Sequence, residues 1–177
     1  NIGDKTMKKE RIILVHSIRP DAIRLSLIFR ELEKYFNVLF VSLGQHYSPF
    51  LHDVFFEECK IRKPDINLGI GSGSHAEQVG MGMIAFEKML LEQKPRFVVV
   101  LGDNNGSLAA ALATAKLNVP LVHIESGGRS YNNKMQEEKN RKMIDSVSDI
   151  LFSYTQEHRE NLLREGHPKE EELKTML

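Results

Sequence analysis

Short unbroken apolar runs alternate with longer amphipathic stretches along this chain of 177 residues. Residues 11–16 (Arg-Ile-Ile-Leu-Val-His) and 37–42 (Asn-Val-Leu-Phe-Val-Ser) read as strands buried on both faces, and residues 97–101 and 119–124 repeat the pattern. Two weaker runs, 66–70 and 149–153, read as further strands. Between these runs the apolar positions recur at helical spacing. Ile23, Leu27, Ile28 and Leu32 mark a helix over 22–34, with Asp21 placed to cap it. Leu51, Val54 and Phe55 mark another over 50–58, and the longest helix is predicted over 75–93, closed by Pro95. A small-residue helix follows over 106–116, then one opening near Glu137, then one over 156–164 stopped by Gly166 and Pro168. This alternation of strand and helix predicts the α/β class, a doubly wound, mostly parallel Rossmann-like sheet.

In such sheets ligands bind outside the carboxyl ends of the strands. The run 97–101 leads into Gly102-Asp103, and the run 119–124 into Glu125-Ser126-Gly127-Gly128-Arg129. Glu137-Glu138-Lys139-Asn140-Arg141 opens the next helix. The topology therefore aims Asp103, Glu125 and Glu137 at one cleft, with Arg129 and Arg141 nearby, a set suited to proton chemistry on an anionic ligand. Converging carboxylates separate in pKa, which supplies a general acid and a general base at one site. Each residue also has a plainer reading. Asp103 can cap the helix after it, and Glu137 and Glu138 can simply favour the positive end of theirs. Arg19, ahead of Pro20 in a strand-exit loop, is a surface arginine or an anion clamp. His16 and His123, inside apolar runs, read more readily as hydrogen-bonded core histidines than as catalysts. His46 sits in a loop better placed to meet ligand. Gly71-Ser72-Gly73-Ser74 is a flexible loop or an anion cradle at a helix N-terminus, without a complete P-loop or dinucleotide fingerprint. His75, just behind it, reads equally as a structural residue or a ligand contact.

Composition narrows the classes. Lys plus Arg and Asp plus Glu number 24 each, for a formal net charge of zero, so nothing points to nucleic acid or to an acidic membrane as partner. A single cysteine, Cys59, excludes an internal disulfide and suits a reducing cytoplasm, the expected location. No apolar run approaches the ~20 residues of a membrane span. The expected organisation is a disordered or expression-derived start over 1–10, one Rossmann-like domain over 11–166, and a charged tail or linker over 167–177.

Taken in order, the motifs resemble the UDP-N-acetylglucosamine 2-epimerase family, non-hydrolysing type, over nearly the whole chain. Ser17-Ile18-Arg19-Pro20-Asp21 stands for the family's G-T-R-P-E, and Leu43-Gly44-Gln45-His46 for its T-G-Q-H. Gly71 to Gln78 reads as the G-S-G-S-H-A-E-Q of archaeal-type members. Gly102 to Leu112 is similar to G-D-x-N-S-T-L-A-A-A-L, and His123 to Ser130 to H-V-E-A-G-L-R-S. Met135 to Arg141 is similar to M-P-E-E-x-N-R, and Ser148 to Phe152 with Asn161 to Gly166 resembles the closing S-D-x-L-F and N-L-x-x-E-G.

The resemblance implies an enzyme that interconverts UDP-N-acetylglucosamine and UDP-N-acetylmannosamine for surface-polysaccharide synthesis. The implied route removes the C2 proton, eliminates UDP to leave a glycal, and adds UDP back after reprotonation from the other face. It needs no redox cofactor and no metal. By motif, Asp103, Glu125 and Glu137 are the expected catalytic carboxylates. Substrate contacts are expected from Arg19, Arg24, Gln45, His46, Ser72, His75, Arg129, Glu138 and Arg141, with Gln45 and His46 matching a loop that forms an allosteric site in bacterial members. The resemblance also implies a GT-B arrangement with a second Rossmann-like domain, which supplies most of the UDP grip and a catalytic histidine, and a homodimer. The long helix with Gly80, Met81, Gly82 and Met83 is the expected dimer face. Nothing in the chain resembles the second domain, so it is read as part of a longer enzyme or as a natural half, expected to be inactive alone. Departures from the motifs fall at Ser17, Ile18, Asp21, Arg24, Ser126, Gly128 and Gln136. A stand-alone sugar-nucleotide-binding or dimerisation module, and a hydrolysing 2-epimerase, are the alternatives.

Overall fold

A computed structural model of the chain describes residues 9–17, 19–44 and 62–167, with all their side chains except those of Arg19, Pro20 and Ala22. The strands are β1 (Arg11–His16), β2 (Asn37–Ser42), β3 (Ile66–Asn67), β4 (Val98–Leu101), β5 (Leu121–Ile124) and β6 (Ile150–Phe152). They form one parallel sheet in the order β3-β2-β1-β4-β5-β6. The order reverses between β1 and β4, where Ile13 pairs with Val98 and Leu14 with Val99. That reversal is the point at which doubly wound sheets open a crevice.

The helices are α1 (Arg19–Tyr35), α2 (His75–Gln93), α3 (Asn105–Lys116), α4 (Gln136–Val147) and α5 (Gln156–Arg164). Central strands show no polar alternation because both faces are covered. Ile13, Val15, Val98 and Val100 face one layer, where Phe86 and Leu90 of α2, Ala110 and Ala113 of α3 and Ile144 of α4 meet them. Ile12, Leu14, Val99 and Leu101 face the other, with Leu25 and Phe29 of α1.

The small residues of α3 let α2 lie close against it. A Cβ built on Gly82 would stand 2.8 Å from Ala109 Cβ, whereas one on Gly80 would meet nothing within 4 Å. Gly82 is therefore an internal packing residue, and not part of the outer α2 surface expected from its spacing. Met81 and Ile84 remain on that surface, 55 % and 72 % exposed.

Several expected boundaries move. The helix expected from residue 22 begins at Arg19, and Asp21 lies in its first turn with Oδ2 accepting from the Ser17 amide at 3.1 Å. The third strand is limited to two residues, since the chain turns at Gly69 and Gly71, both at positive φ. Lys9 and Glu10 lead directly into β1, and the Glu10 carbonyl accepts from the Asn37 amide at 2.9 Å. The helix expected over 50–58, Cys59, Gln45 and His46 lie outside the described residues, as does most of the tail. No described helix is long and apolar enough to cross a membrane.

Candidate active site

The expected carboxylates arise from the exits of β4 and β5. Gly102 ends β4 at φ +73°, a conformation that glycine adopts freely. The next turn is capped by Asn104, whose side chain accepts from the Ser107 amide at 2.9 Å, and the Ser107 hydroxyl donates back to the Leu101 carbonyl at 2.7 Å. Asp103 is thus not the cap of α3. Its carboxylate turns instead to Arg141 of α4, with which it forms an ion pair. The adjacent Asn140 amide donates to the Asp103 carbonyl at 2.9 Å and to Asn105 Oδ1 at 3.2 Å.

Glu125 follows β5 at φ +76°, a left-handed conformation uncommon for a residue with a Cβ. The turn is held by the Glu125 and Ser126 amides, which both donate to the Phe152 carbonyl, at 3.0 and 3.1 Å. Its carboxylate pairs with Arg24 of α1, both side chains being about a third exposed. Arg24 also binds Asp21 at 2.7 Å. Gly102 lies beneath this pair. A Cβ placed there would stand 3.6 Å from Glu125 Oε2 and 3.7 Å from Arg24 Nη2. The β4 and β5 loops thereby put two carboxylates on the ends of adjoining strands, beside the reversal of the sheet, each matched to an arginine from a helix.

The acids of α4 divide. Glu137 is exposed in the first turn. Glu138 is fully buried; it accepts from the Ser130 amide at 2.9 Å, the Ser130 hydroxyl at 3.1 Å and the Tyr131 amide at 3.3 Å, and pairs with Arg141 at 2.9 Å. Burial alone would raise its pKa, but the Ser130 bonds and Lys142 outweigh it and hold the group below its ordinary value. Glu138 so organises the 130–131 turn and orients Arg141. Arg129 lies inside the protein, paired with Asp145 at 2.8 Å and Glu165 at 2.5 Å. Burial opposes its charge, yet these two carboxylates raise its pKa above the ordinary value. Arg129 therefore braces the β5 loop from within.

Residues 30–175 match the family model for UDP-N-acetylglucosamine 2-epimerase. The chain belongs to the UDP-N-acetylglucosamine 2-epimerase family. A UDP-N-acetylglucosamine 2-epimerase of Methanococcus maripaludis is 45 % identical over 158 residues, which are 88 % of this chain and 42 % of that protein. A UDP-2,3-diacetamido-2,3-dideoxy-D-glucuronate 2-epimerase of Pseudomonas aeruginosa is 40 % identical, over 88 % of this chain and 45 % of that one. The crystal structure of Methanocaldococcus jannaschii UDP-GlcNAc 2-epimerase, in complex with UDP-GlcNAc and UDP, superposes with a TM-score of 0.85 at 44 % identity, over 88 % of this chain and 43 % of that one. The chain thus spans less than half the length of these relatives.

Other expected positions in this epimerase-family chain can be placed as well. The Gly-Ser run ends in a capping box: Ser74 accepts from the Glu77 amide at 3.3 Å, and the Glu77 carboxylate accepts from the Ser74 amide at 2.8 Å. The N-terminus of α2 therefore carries an anion of its own, and Glu77 is held below its usual pKa by that bond. Ser72 is exposed in the same loop. His75 meets the Asn105 side chain at 2.9 Å, which ties α2 to the start of α3. The helical position of Arg19 puts its backbone at the exit of β1, while its side chain, Gln45 and His46 lie outside the described residues.

Tyr154 was not anticipated. It stands two residues beyond β6 at the same end of the sheet, and burial, followed by the Glu125 charge, raises its pKa. Alternation beyond the β6 run is the signal that points to it. Two larger cavities, about 570 Å³ beside Lys9 and Arg62 and about 520 Å³ on the apolar sheet face at Phe97 and Phe152, border neither Asp103 nor Glu125. The carboxylates stand instead on the sheet end itself.

Proposed function

We propose that this chain is the N-terminal domain of a non-hydrolysing 2-epimerase acting on UDP-N-acetylglucosamine and UDP-N-acetylmannosamine. The observation that carries the reading is the pairing of Asp103 with Arg141 and of Glu125 with Arg24 on adjoining loops beside the sheet reversal. Family membership and the names of the relatives support the same chemistry. One carboxylate takes the C2 proton while the C1–oxygen bond to UDP breaks, and the electron pair left at C2 forms the C1–C2 double bond of a glycal. A second carboxylate returns a proton to C2 from the opposite face, and a UDP oxygen attacks C1. Asp103, Glu125 and the exposed Glu137 are the groups assigned to this traffic. Arg24 and Arg141 pair with these carboxylates and are assigned to the diphosphate. Arg19, Gln45, His46, Ser72 and His75 are assigned to sugar-nucleotide binding from their motifs, while Glu138 and Arg129 shape the loops after β5.

The second Rossmann-like domain completes the cleft in a GT-B arrangement, and the exposed Met81 and Ile84 of α2 form part of a homodimer contact. Incubation of the full-length enzyme with UDP-N-acetylglucosamine in deuterated water tests the reading. NMR should find the mannosamine epimer with deuterium at C2; release of free N-acetylmannosamine would indicate the hydrolysing reaction instead. The 177-residue chain alone should bind weakly and turn nothing over, because half of the positioning groups are missing.

A second reading concerns the sugar. The Pseudomonas aeruginosa relative is named for a uronate with two acetamido groups, so C2 inversion is the shared chemistry and the C3 and C6 substituents are the variable part. Parallel assays with the uronate nucleotide decide between the two.

A further inference from the structure

We infer that His123 is a positioning residue that acts through the peptide joining Gly102 to Asp103. It is fully buried within β5, and both ring nitrogens face acceptors. Nδ1 lies 2.7 Å from Asp145 Oδ1, and Nε2 lies 2.9 Å from the Gly102 carbonyl oxygen. A carbonyl can only accept, so Nε2 carries a hydrogen. Asp145 is an ionised carboxylate, since its other oxygen accepts from the Gly127 amide at 3.1 Å and pairs with Arg129 at 2.8 Å. Nδ1 faces that carboxylate, so the ring bridges Asp145 and the Gly102 carbonyl. Glu165, Arg129, Asp145 and His123 form one connected line, with the side chains of Arg129, Asp145 and His123 buried and Glu165 at the surface.

The consequence falls on the two carboxylate loops. Gly102 has no Cβ to restrict it and sits at φ +73°, so the orientation of its carbonyl needs an anchor, and the bond from His123 Nε2 supplies one. Rotation of that peptide would swing Asp103 away from Arg141. Asp145 at the same time holds the Gly127 amide, two residues beyond Glu125. One buried carboxylate, extended by one histidine, thus sets the spacing between the groups assigned to proton transfer. This inference rests on the proposed epimerase reading for its catalytic consequence, but not for its geometry.

Two isosteric variants separate the two hydrogen bonds, because an asparagine amide falls near the Nδ1 position and a glutamine amide near Nε2. His123→Asn keeps a donor to Asp145 and loses the one to Gly102. His123→Gln keeps the donor to Gly102 and loses the one to Asp145. In the full-length enzyme, His123→Asn should lower kcat by about a hundredfold with KM unmoved, the effect of misplacing a reacting group by about an ångström. His123→Gln should retain most of kcat while melting at the lower temperature of the two. Turnover that simply follows the folded fraction in both variants would overturn the proposal. The same enzyme labelled with carbonyl-13C glycine gives a readout that is independent of the reaction. The Gly102 carbonyl resonance should shift in His123→Asn and hold in His123→Gln; the same shift in both, or in neither, would also overturn it. If the wild-type enzyme exchanges no C2 proton, the epimerase reading fails and the carbonyl resonance alone decides the geometry.

Discussion

Asp103→Asn separates a chemical role from a structural one. The capping position of α3 belongs to Asn104, so the substitution removes no cap. The backbone bond from Asn140 to the Asp103 carbonyl is untouched by it. What is lost is the ion pair with Arg141, in which the Asp103 side chain is about a quarter exposed. Partly exposed pairs of this kind contribute about 0.2–1 kcal/mol, a melting shift of roughly 2–4 °C at most for a domain of this size. A lost general acid or base costs about 10²–10⁴ in rate, or about 3–5 kcal/mol of barrier. The two effects differ several-fold, so a paired measurement resolves them. In the full-length enzyme, thermal unfolding should barely move while C2 deuterium exchange collapses. Full-rate exchange with an unchanged melting point would show that Asp103 carries no proton, leaving the work to Glu125 and Glu137. A large fall in melting temperature would show that the structural account of the β4 loop is wrong.

Asn104→Ala should destabilise the chain by about 1 kcal/mol, as loss of a helix cap does, measurable by urea unfolding. Gly82→Ala should cost about 1–3 kcal/mol by overpacking α2 on Ala109, whereas Gly80→Ala, with nothing within 4 Å, should gain about 0.5–1 kcal/mol; calorimetry of the pair checks both signs. Asp145→Asn breaks a buried charge pair and should cost about 3–5 kcal/mol near pH 7. Burial opposes the Asp145 charge, but His123 and Arg129 hold its folded pKa below the ordinary 3.8. Its stabilisation is therefore complete above the ordinary carboxylate range and fades as pH falls through the depressed value. The gap between wild type and Asp145→Asn in denaturant midpoint should accordingly narrow below about pH 4; a gap that widens in acid would reverse the assignment.

The fold was legible where burial is two-sided. The runs at 11–16, 37–42 and 97–101 lack polar alternation because helices cover both faces of the central strands, and α/β class followed from that. Lengths at the sheet edge were not legible, since β3 ends where Gly69 and Gly71 take positive φ, and no apolar count reveals a backbone turn. Gly82 was misread for a similar reason. Read outward, it belongs with Gly80 and Met81; read by helical period, it falls in line with the buried Phe86, Met89 and Leu90 and faces α3.

The site divides along the range of the interactions that build it. Asp103, Glu125 and Arg141 could be located in the fold from local motifs, because each sits directly beyond a strand or in the first turns of a helix. What holds them is non-local. Glu125 meets Arg24 across 101 residues of chain, and His123 meets Asp145 across 22, distances over which a sequence pattern carries no register. Even the adjacent choice between Asp103 and Asn104 as cap turned on geometry, because Asp103-Asn104-Asn105 offers three side chains able to cap. The positive φ of Gly102 and the bond from Ser107 to Leu101 place the helix start after Asn104. The displacement by one residue is what frees the Asp103 carboxylate for Arg141. Local propensity supplied the chemical groups; the packing of the helices on the sheet decided which acids brace the loops from within, as Asp145 and Glu138 do, and which pair with arginine at the sheet end, as Asp103 and Glu125 do.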